Sequence, residues 1–543
     1  MQNAVAAIDA AVLAEMERCH QPGLTVGVTD ADQTLYVGTY GFADLTSQES
    51  VTAETLFEIG SIGKSFTAVA ILQLVDEGLI DLHAPVDRYL PWFRVSEHED
   101  TSPITVAHLL SHTAGIVAGI DGTPEAAFQV WTLRDLPRFS PPGERFHYSN
   151  VGYKALGLVL EAVAGRPYHE VLRERILDPL GMAATEPAIT HAIRPRLAVG
   201  YVYLDDNRMG HAGVPLVPAT WLETETADGS IASTATDMCS FVRALLRGGK
   251  TPAGELLSKQ AFEQMTTGHA TDEEGGEYGY GLSLRALNGH RFIGHGGGMV
   301  GYAAGIETEP DTGLGAIVLQ NAARTSPMAL ARLVIEIVRK ARDGATLSSV
   351  ASSPISIAPA PEGLAGTYLS ADTACDPIEI VPDEGLRLRL GGREIALEAL
   401  EDDLFLAPDE ALDRFPLRVE HPTDGAPEVW HASHRYVLVG AAARPLPAPP
   451  DELRAIAGQY RSHNPWTTNF HVFLRGDRPW LYFADPPDGF AVEQQLVQQP
   501  DSSFRVGEDA GNPEVLRFDT IVDRRALRAW LSGWPYYRVA RSD

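Results

Sequence analysis

The chain is poor in several things at once. It has three cysteines in 543 residues, Cys19, Cys239 and Cys375. They lie far apart, no Cys-x-x-Cys occurs and the number is odd, which argues against a disulfide framework and against a cysteine-based zinc site. Basic residues are few, 43 against 72 acidic ones, for a formal net charge of −29. Binding to nucleic acid by counterion release needs clustered lysine and arginine, so no nucleic-acid partner is expected. Adsorption to an anionic membrane surface is excluded on the same ground. No apolar run approaches the roughly 18 residues of a membrane span. The N-terminus, MQNAVAAIDAAVLAEMERCH, lacks a basic leader region and a clean apolar stretch. It reads as an amphipathic helix through Val5, Ile8, Val12 and Met16. The expected location is cytoplasmic, or periplasmic or secreted if a leader has been removed. Lysine is the scarcest charged residue: Lys64, Lys154, Lys250, Lys259 and Lys340 are the only five, against 38 arginines. A motif that requires lysine is correspondingly harder to meet by accident.

What is present is a globular chain, 44% hydrophobic and 21% charged. The length predicts three to four domains. Residues 1–345 read as one mixed domain. Strand patterns at Leu24–Val28 and Leu35–Gly41 follow the first helix, helical patterns dominate from Thr55 to Leu245, and strands return at Leu282–Ala286 and Arg291–Ile293 around Asn288-Gly289. Asn-Gly between two such runs predicts a tight hairpin. Tyr302–Glu307 and Leu314–Gln320 predict two more strands, and Met328–Arg342 a closing helix. Strands from both ends of the domain imply one sheet assembled from distant segments and packed against helices. Residues 344–361 form a Ser/Pro/Ala-rich linker, and 441–450 (AAARPLPAPP) a second break. The stretches 362–440 and 451–543 look like repeats of one another. Leu364-Ala-Gly-Thr-Tyr368 pairs with Ile456-Ala-Gly-Gln-Tyr460, and Trp430 precedes Tyr436 as Trp530 precedes Tyr536. Strands every 8–12 residues suit a small antiparallel barrel in each.

Chemistry is concentrated in the first domain. Gly60-Ser61-Ile62-Gly63-Lys64 stands directly before an apolar helical run, which puts Lys64 one turn beyond Ser61 on the same face. A serine hydroxyl becomes a competent nucleophile only when a base takes its proton, and Lys64 can do so if its ammonium is desolvated. About 0.25 accidental S-x-x-K matches are expected of this composition, so the motif gains weight only in company. Tyr148-Ser149-Asn150 follows a Pro-Gly turn and opens an apolar helix. A tyrosine beside a lysine can share a proton, and an asparagine amide can hold a carbonyl; the plain alternative is a helix cap with a packed tyrosine. His295-Gly296-Gly297-Gly298 ends a strand where glycines let a substrate come close and a backbone N–H can complete an oxyanion hole. Gly296, Gly298 and Gly301 also fit G-x-G-x-x-G, but a strand follows where that motif requires a helix. His108 and His112 are four apart, without H-E-x-x-H or a third ligand; packing and capping is the expected role, and no metal or cofactor is implied. G-x-S-x-G is absent, which argues against an α/β-hydrolase.

The three elements S-x-x-K, Y-x-N and H-x-G, in this order, resemble the serine β-lactamase and penicillin-binding-protein family. The likeness is strongest to its class C β-lactamase-related hydrolases and D-aminopeptidases. Ile104–Gly115, Asn150–Gly157, Ile176–Met182 and Gly229–Met238 carry further likeness, and the resemblance covers roughly residues 5–340. It implies an α+β fold, an antiparallel sheet flanked by helices plus a helical region, followed by two lipocalin-like barrels. It implies an acyl-enzyme on Ser61, proton transfer by Lys64 and Tyr148, substrate positioning by Asn150, and an oxyanion hole at Ser61 and Gly298 beside Gly297. His295 falls where lactamases usually carry lysine, which favours peptidases and esterases over true β-lactamases. The implied activity is cleavage of a small amide or peptide, with an esterase or a non-turnover acylated sensor as alternatives. The implied partners are a small-molecule or short-peptide substrate and, as an option, a second copy of the chain in a homodimer. By analogy with the D-aminopeptidases, a barrel loop at 462–468 or 485–489 would limit substrate size.

Overall fold

The computed structural model describes all residues except 1, 97–101, 120–124, 137, 253, 273–274, 346, 348–362, 372–374, 383–384, 424, 488–489 and 541–543. The expected linker therefore lies mostly outside the described residues, as do Asp488 and Gly489 of one loop considered above. Among the described residues no helix is long and apolar enough to cross a membrane.

Alternation of side chains builds the first unit, residues 1–202 with 216–350. In β1 (Gly23–Asp30) and in the strand Leu314–Gln320, successive residues point to opposite faces. Leu24, Val26, Val28, Leu314, Ala316 and Val318 pack on one side with Ile8 and Val12 of α1 (Gln2–Cys19) and with Val334, Ile335 and Val338 of the closing helix Pro327–Arg342. Ile317 and Leu319 turn to the other side and join Phe66, Leu72, Leu156, Phe241 and Val242. The result is an antiparallel sheet between helical layers. Its strand order, from one edge, is Ala270–Thr271, Glu277–Tyr278, Ser283–Leu287, His290–Met299, Tyr302–Glu309, Leu314–Gln320, β1, β2 (Thr34–Asp44) and Glu49–Ser50. Residues from the two ends of the unit meet at its centre, with Val26 opposite Val318. The hairpin expected at Asn288-Gly289 is present, and both residues have positive φ, +52° and +80°, as a two-residue primed turn requires.

The helix α2 (Gly63–Asp76) runs through the middle of the helical side. Every residue from Gly63 to Leu72 is buried, so this stretch is enclosed on every side and has no solvent-facing polar stripe. Phe66 stacks on Phe241 with ring centroids 4.1 Å apart. The charged residue among these ten is Lys64, which is 0% exposed.

The second unit contains two barrels, and the repeat read in the sequence is a structural one. A nine-stranded antiparallel sheet, nearly closed, spans Gly366 to Leu438, and a closed eight-stranded barrel spans Gly458 to Arg538. Tyr368 and Tyr460 are fully buried, and each hydroxyl donates to the carbonyl four residues earlier, Leu364 and Ile456, at 2.8 Å. Trp430 and Tyr436 lie on one hairpin (Glu428–His431, His434–Leu438), as do Trp530 and Tyr536 (Arg525–Leu531, Trp534–Arg538). Glu493, wholly buried, ties the barrels by accepting from Arg475 of its own barrel at 3.0 Å and from Arg418 of the other at 2.9 Å. One departure from the expected division concerns residues 203–215, read as part of the first domain. They belong to the second unit. Met209 is buried against Leu406, Phe473 and Tyr482, and the Arg208 guanidinium donates to Asp413 at 2.6 Å.

Replacing Tyr368 or Tyr460 by phenylalanine leaves a buried carbonyl without its donor. Each substitution is expected to cost about 1–2 kcal/mol in urea unfolding followed by tryptophan fluorescence. Tyr460→Phe should cost more, because that hydroxyl also approaches the Ala526 carbonyl at 3.3 Å.

Candidate active site

Ser61 lies in a 3₁₀ turn, Gly60–Ile62, that passes directly into α2. Two glycines allow this turn to press against the strand His290–Met299. Gly60 has φ +53°, and a Cβ there would meet the backbone of Gly298 at 2.5 Å. A Cβ on Gly297 would lie 1.9 Å from the Ile59 carbonyl oxygen and 3.1 Å from the Ser61 nitrogen. The backbone of residues 297–298 and the backbone of Ser61 therefore run side by side with no side chain between them.

One turn into α2, Lys64 Nζ meets three oxygens: Ser61 Oγ at 2.9 Å, Asn150 Oδ1 at 2.6 Å and the Asp228 carbonyl at 2.9 Å. Two of these are carbonyl oxygens, which only accept. The hydroxyl can donate or accept. An uncharged amine has two N–H bonds and one lone pair, so with both N–H bonds given to the carbonyls its lone pair faces the Ser61 hydroxyl. The same three oxygens satisfy a protonated ammonium. The site thus accommodates both states of a proton carrier without moving a heavy atom.

Asn150 is placed by its neighbours. Ser149 caps the helix Asn150–Ala164, accepting from Gly152 N–H at 3.1 Å and donating to the Val117 carbonyl at 2.8 Å. The Asn150 and Ser149 amides donate to the Ala118 carbonyl and to His112 Nδ1, at 2.8 and 3.0 Å. The serine of this motif is a helix cap, and Tyr148 is a neighbour of the lysine. Lys64 Nζ lies 4.9 Å from the centre of the Tyr148 ring, which packs against His112 with centroids 4.3 Å apart. With Oδ1 of Asn150 committed to Lys64, only its NH₂ group can address a substrate carbonyl.

His295 joins the group but is seated differently from a carboxylate anchor. It is 4% exposed; Nε2 bonds Tyr278 Oη at 2.9 Å and Nδ1 bonds the Gly296 carbonyl at 2.5 Å. Nδ1 carries the proton, since a carbonyl only accepts, and Nε2 accepts from the tyrosine. Burial, then the Lys64 charge, outweigh the Gly296 bond and push its pKa down to about 4, so it is neutral near pH 7. Both ring nitrogens are engaged within the protein.

His108 and His112 do not share a helix. The helix Val106–Leu110 ends before His112, which has φ +55°. His108 closes a capping box with Thr105, and His112 holds the Ser149 amide. Burial keeps His112 far below its ordinary pKa, consistent with an acceptor nitrogen. Among the described residues no group of three or more His, Cys, Asp or Glu could hold a metal ion.

Sequence reasoning missed Asp228, Lys154 and Tyr278. Asp228 acts through a backbone oxygen, which leaves no mark in residue identity. Lys154 did carry a signal: it is one of five lysines and stands four residues after Asn150.

Gly297→Ala should displace Ser61 and reduce reaction with a p-nitrophenyl ester by about 10²-fold or more. Gly298→Ala places its Cβ in open space and should leave the rate within a few-fold. Initial rates of p-nitrophenol release, with circular dichroism to check folding, compare the two.

The beta-lactamase family model matches residues 8–339. Penicillin-binding protein 4 of Amycolatopsis lactamdurans is 28% identical over 317 residues, 56% of this chain and 81% of that protein. The unguisins hydrolase ungD' of Aspergillus campestris is 29% identical over 346 residues, 60% of this chain and 64% of that protein, so the chain spans less than two thirds of its length. The octameric penicillin-binding protein homologue from Pyrococcus abyssi aligns with a TM-score of 0.59 at 25% identity, over 80% of this chain and 99% of its own. The D-stereospecific amidohydrolase from Streptomyces sp. aligns with a TM-score of 0.52 at 29% identity, over 63% of this chain and 99% of its own. A family model that matches more than half the chain, over the whole sheet and the helix that carries Ser61 and Lys64, makes this protein a member of the beta-lactamase family.

Proposed function

We propose that the chain is a serine hydrolase that forms an acyl-enzyme on Ser61 and cleaves a small amide or short peptide, in the manner of the D-aminopeptidases. The single observation that carries this reading is the Lys64 amine, fully buried and held by two carbonyl oxygens with Ser61 Oγ at 2.9 Å. Ser61 Oγ attacks the substrate carbonyl carbon as its proton passes to Lys64 Nζ. The carbonyl oxygen gains negative charge and receives the N–H groups of Ser61 and Gly298. Asn150 orients the substrate through its NH₂ group. The leaving amine takes a proton from the Lys64–Tyr148 pair, and the C–N bond breaks to leave an ester on Ser61. Water then attacks this ester, with the same pair as base, and Oγ recovers its proton.

The amidohydrolase likeness supports an amide as the bond cleaved. The engagement of both His295 nitrogens argues against a β-lactam substrate, whose carboxylate needs a cationic or donor-rich partner. His295 is assigned a supporting role through Tyr278 in place of a direct anchor. A homodimer remains part of the proposal, with the octameric Pyrococcus homologue in favour of some assembly.

A panel of D- and L-aminoacyl p-nitroanilides, p-nitrophenyl acyl esters and a chromogenic cephalosporin tests the reading. Turnover of a D-aminoacyl anilide is expected, with the cephalosporin the poorest class and all turnover lost in Ser61→Ala. Turnover of esters alone would make the protein an esterase. A stoichiometric burst without later turnover would make it a sensor, and turnover that survives Ser61→Ala would overturn the mechanism.

A further inference from the structure

The two carbonyls that hold Lys64 come from distant parts of the chain, and a second lysine ties those parts together. Asn150 opens the helix Asn150–Ala164, and Lys154 stands one turn further along the same face. Lys154 is 2% exposed, and its Nζ lies 3.2 Å from Oδ2 of Asp228. The backbone oxygen of that same Asp228 accepts from Lys64. Residues 64, 150, 154 and 228 thus close a circuit with two amino groups and one carboxylate.

Charge balance decides what the circuit does. Buried ionic groups favour the protonation states whose charges cancel, because an unmatched charge loses its hydration without compensation. Burial pushes the Asp228 carboxyl up, but the groups around it, the Lys154 ammonium first among them, hold it below its ordinary value. Burial pulls the Lys154 ammonium below its ordinary value and the Asp228 carboxylate opposes this; with Lys154 charged, the carboxylate is matched, and a proton on Lys64 leaves a net positive charge. With Lys154 absent, the balanced state is the one in which Lys64 keeps its proton. The other titratable groups facing the circuit do not change this sum. Burial holds His112 and His295 neutral and Tyr153 and Tyr168 protonated, and Tyr148, the proton-sharing partner proposed above, is common to every variant compared below.

We propose that Lys154 is a positioning residue: by matching the Asp228 carboxylate it leaves Lys64 uncharged and able to take the Ser61 proton, and it fixes the Asp228 carbonyl against Lys64. The proposal rests on the reading of Ser61 and Lys64 given above. It adds a residue that touches neither substrate nor nucleophile.

The test is the pH dependence of acylation by p-nitrophenyl acetate in the full chain, measured as the burst of p-nitrophenol. Lys154→Met is expected to slow acylation by about 10²-fold at pH 7. Its acidic limb should move at least one pH unit upward, because Lys64 then releases its proton later. Lys154→Arg keeps the charge and should keep the wild-type limb. The double variant Lys154→Met/Asp228→Asn removes both charges and should bring the limb back, although the pair is gone. A purely structural role predicts the reverse, with the double variant at least as impaired as the single. A wild-type limb in Lys154→Met, or a double variant whose limb stays displaced, overturns the proposal. If Lys154→Met is insoluble, Asp228→Asn decides in its place: it leaves the Lys154 charge unmatched, so the acidic limb should move downward, and a limb that stays in place or moves upward overturns the proposal. Ser61→Ala is the control for the underlying reading. A burst that survives it discards the mechanism itself, whereas its loss combined with an unchanged Lys154→Met discards only the role of Lys154.

Discussion

The candidate active site depends on a single amine kept away from water. Lys64 is enclosed because the helical stretch that bears it is buried on every side, and it remains tolerable there because three oxygens replace its lost hydration. Each partner is delivered by a different element. The serine comes from the turn before the helix, the amide from the start of the Asn150–Ala164 helix, and the carbonyl from the loop at Asp228. The sheet supplies the strand His290–Met299 against which the serine turn is pressed.

Much of this was legible in the sequence. The hairpin at Asn288-Gly289, the strand Leu314–Gln320 and the closing helix follow from turn chemistry and from alternation of period two or 3.6. The spacing of Ser61 and Lys64 fixed their contact, because a helical turn brings such residues to one face. The companion motifs at 148–150 and 295–298 gave that pair its context. Three things were hidden for physical reasons. A backbone oxygen carries no residue code, so the Asp228 carbonyl left no trace. His295 reads as the counterpart of the lactamase lysine, but Tyr278, two strands away in the sheet, takes up one of its ring nitrogens. The segment 203–215 has no periodicity that distinguishes a loop of one unit from a loop of another, and its placement is set by Met209 and Arg208 finding partners some 200 residues later.

The repeat in the second unit shows which residues the barrel fold itself demands. What recurs is a tyrosine that bonds the carbonyl four residues back and a Trp/Tyr hairpin, all of them structural. What does not recur are the charged groups at the seam, where Arg418 belongs to one barrel and Arg475 and Glu493 to the other. The copies have kept their internal frame and diverged where they meet.

The passage of residues 203–215 into the second unit bears on how the molecule can be taken apart. A cut anywhere in 344–361 severs the backbone once, yet the piece lost would still own the partners of Met209, Arg208 and Asp206. The remaining first unit would carry a dangling hairpin with its salt links vacated. Proteolysis at the linker therefore yields a nicked, non-covalently held species rather than two separable fragments, and a free-standing hydrolase module would have to shed that hairpin as well as the tail.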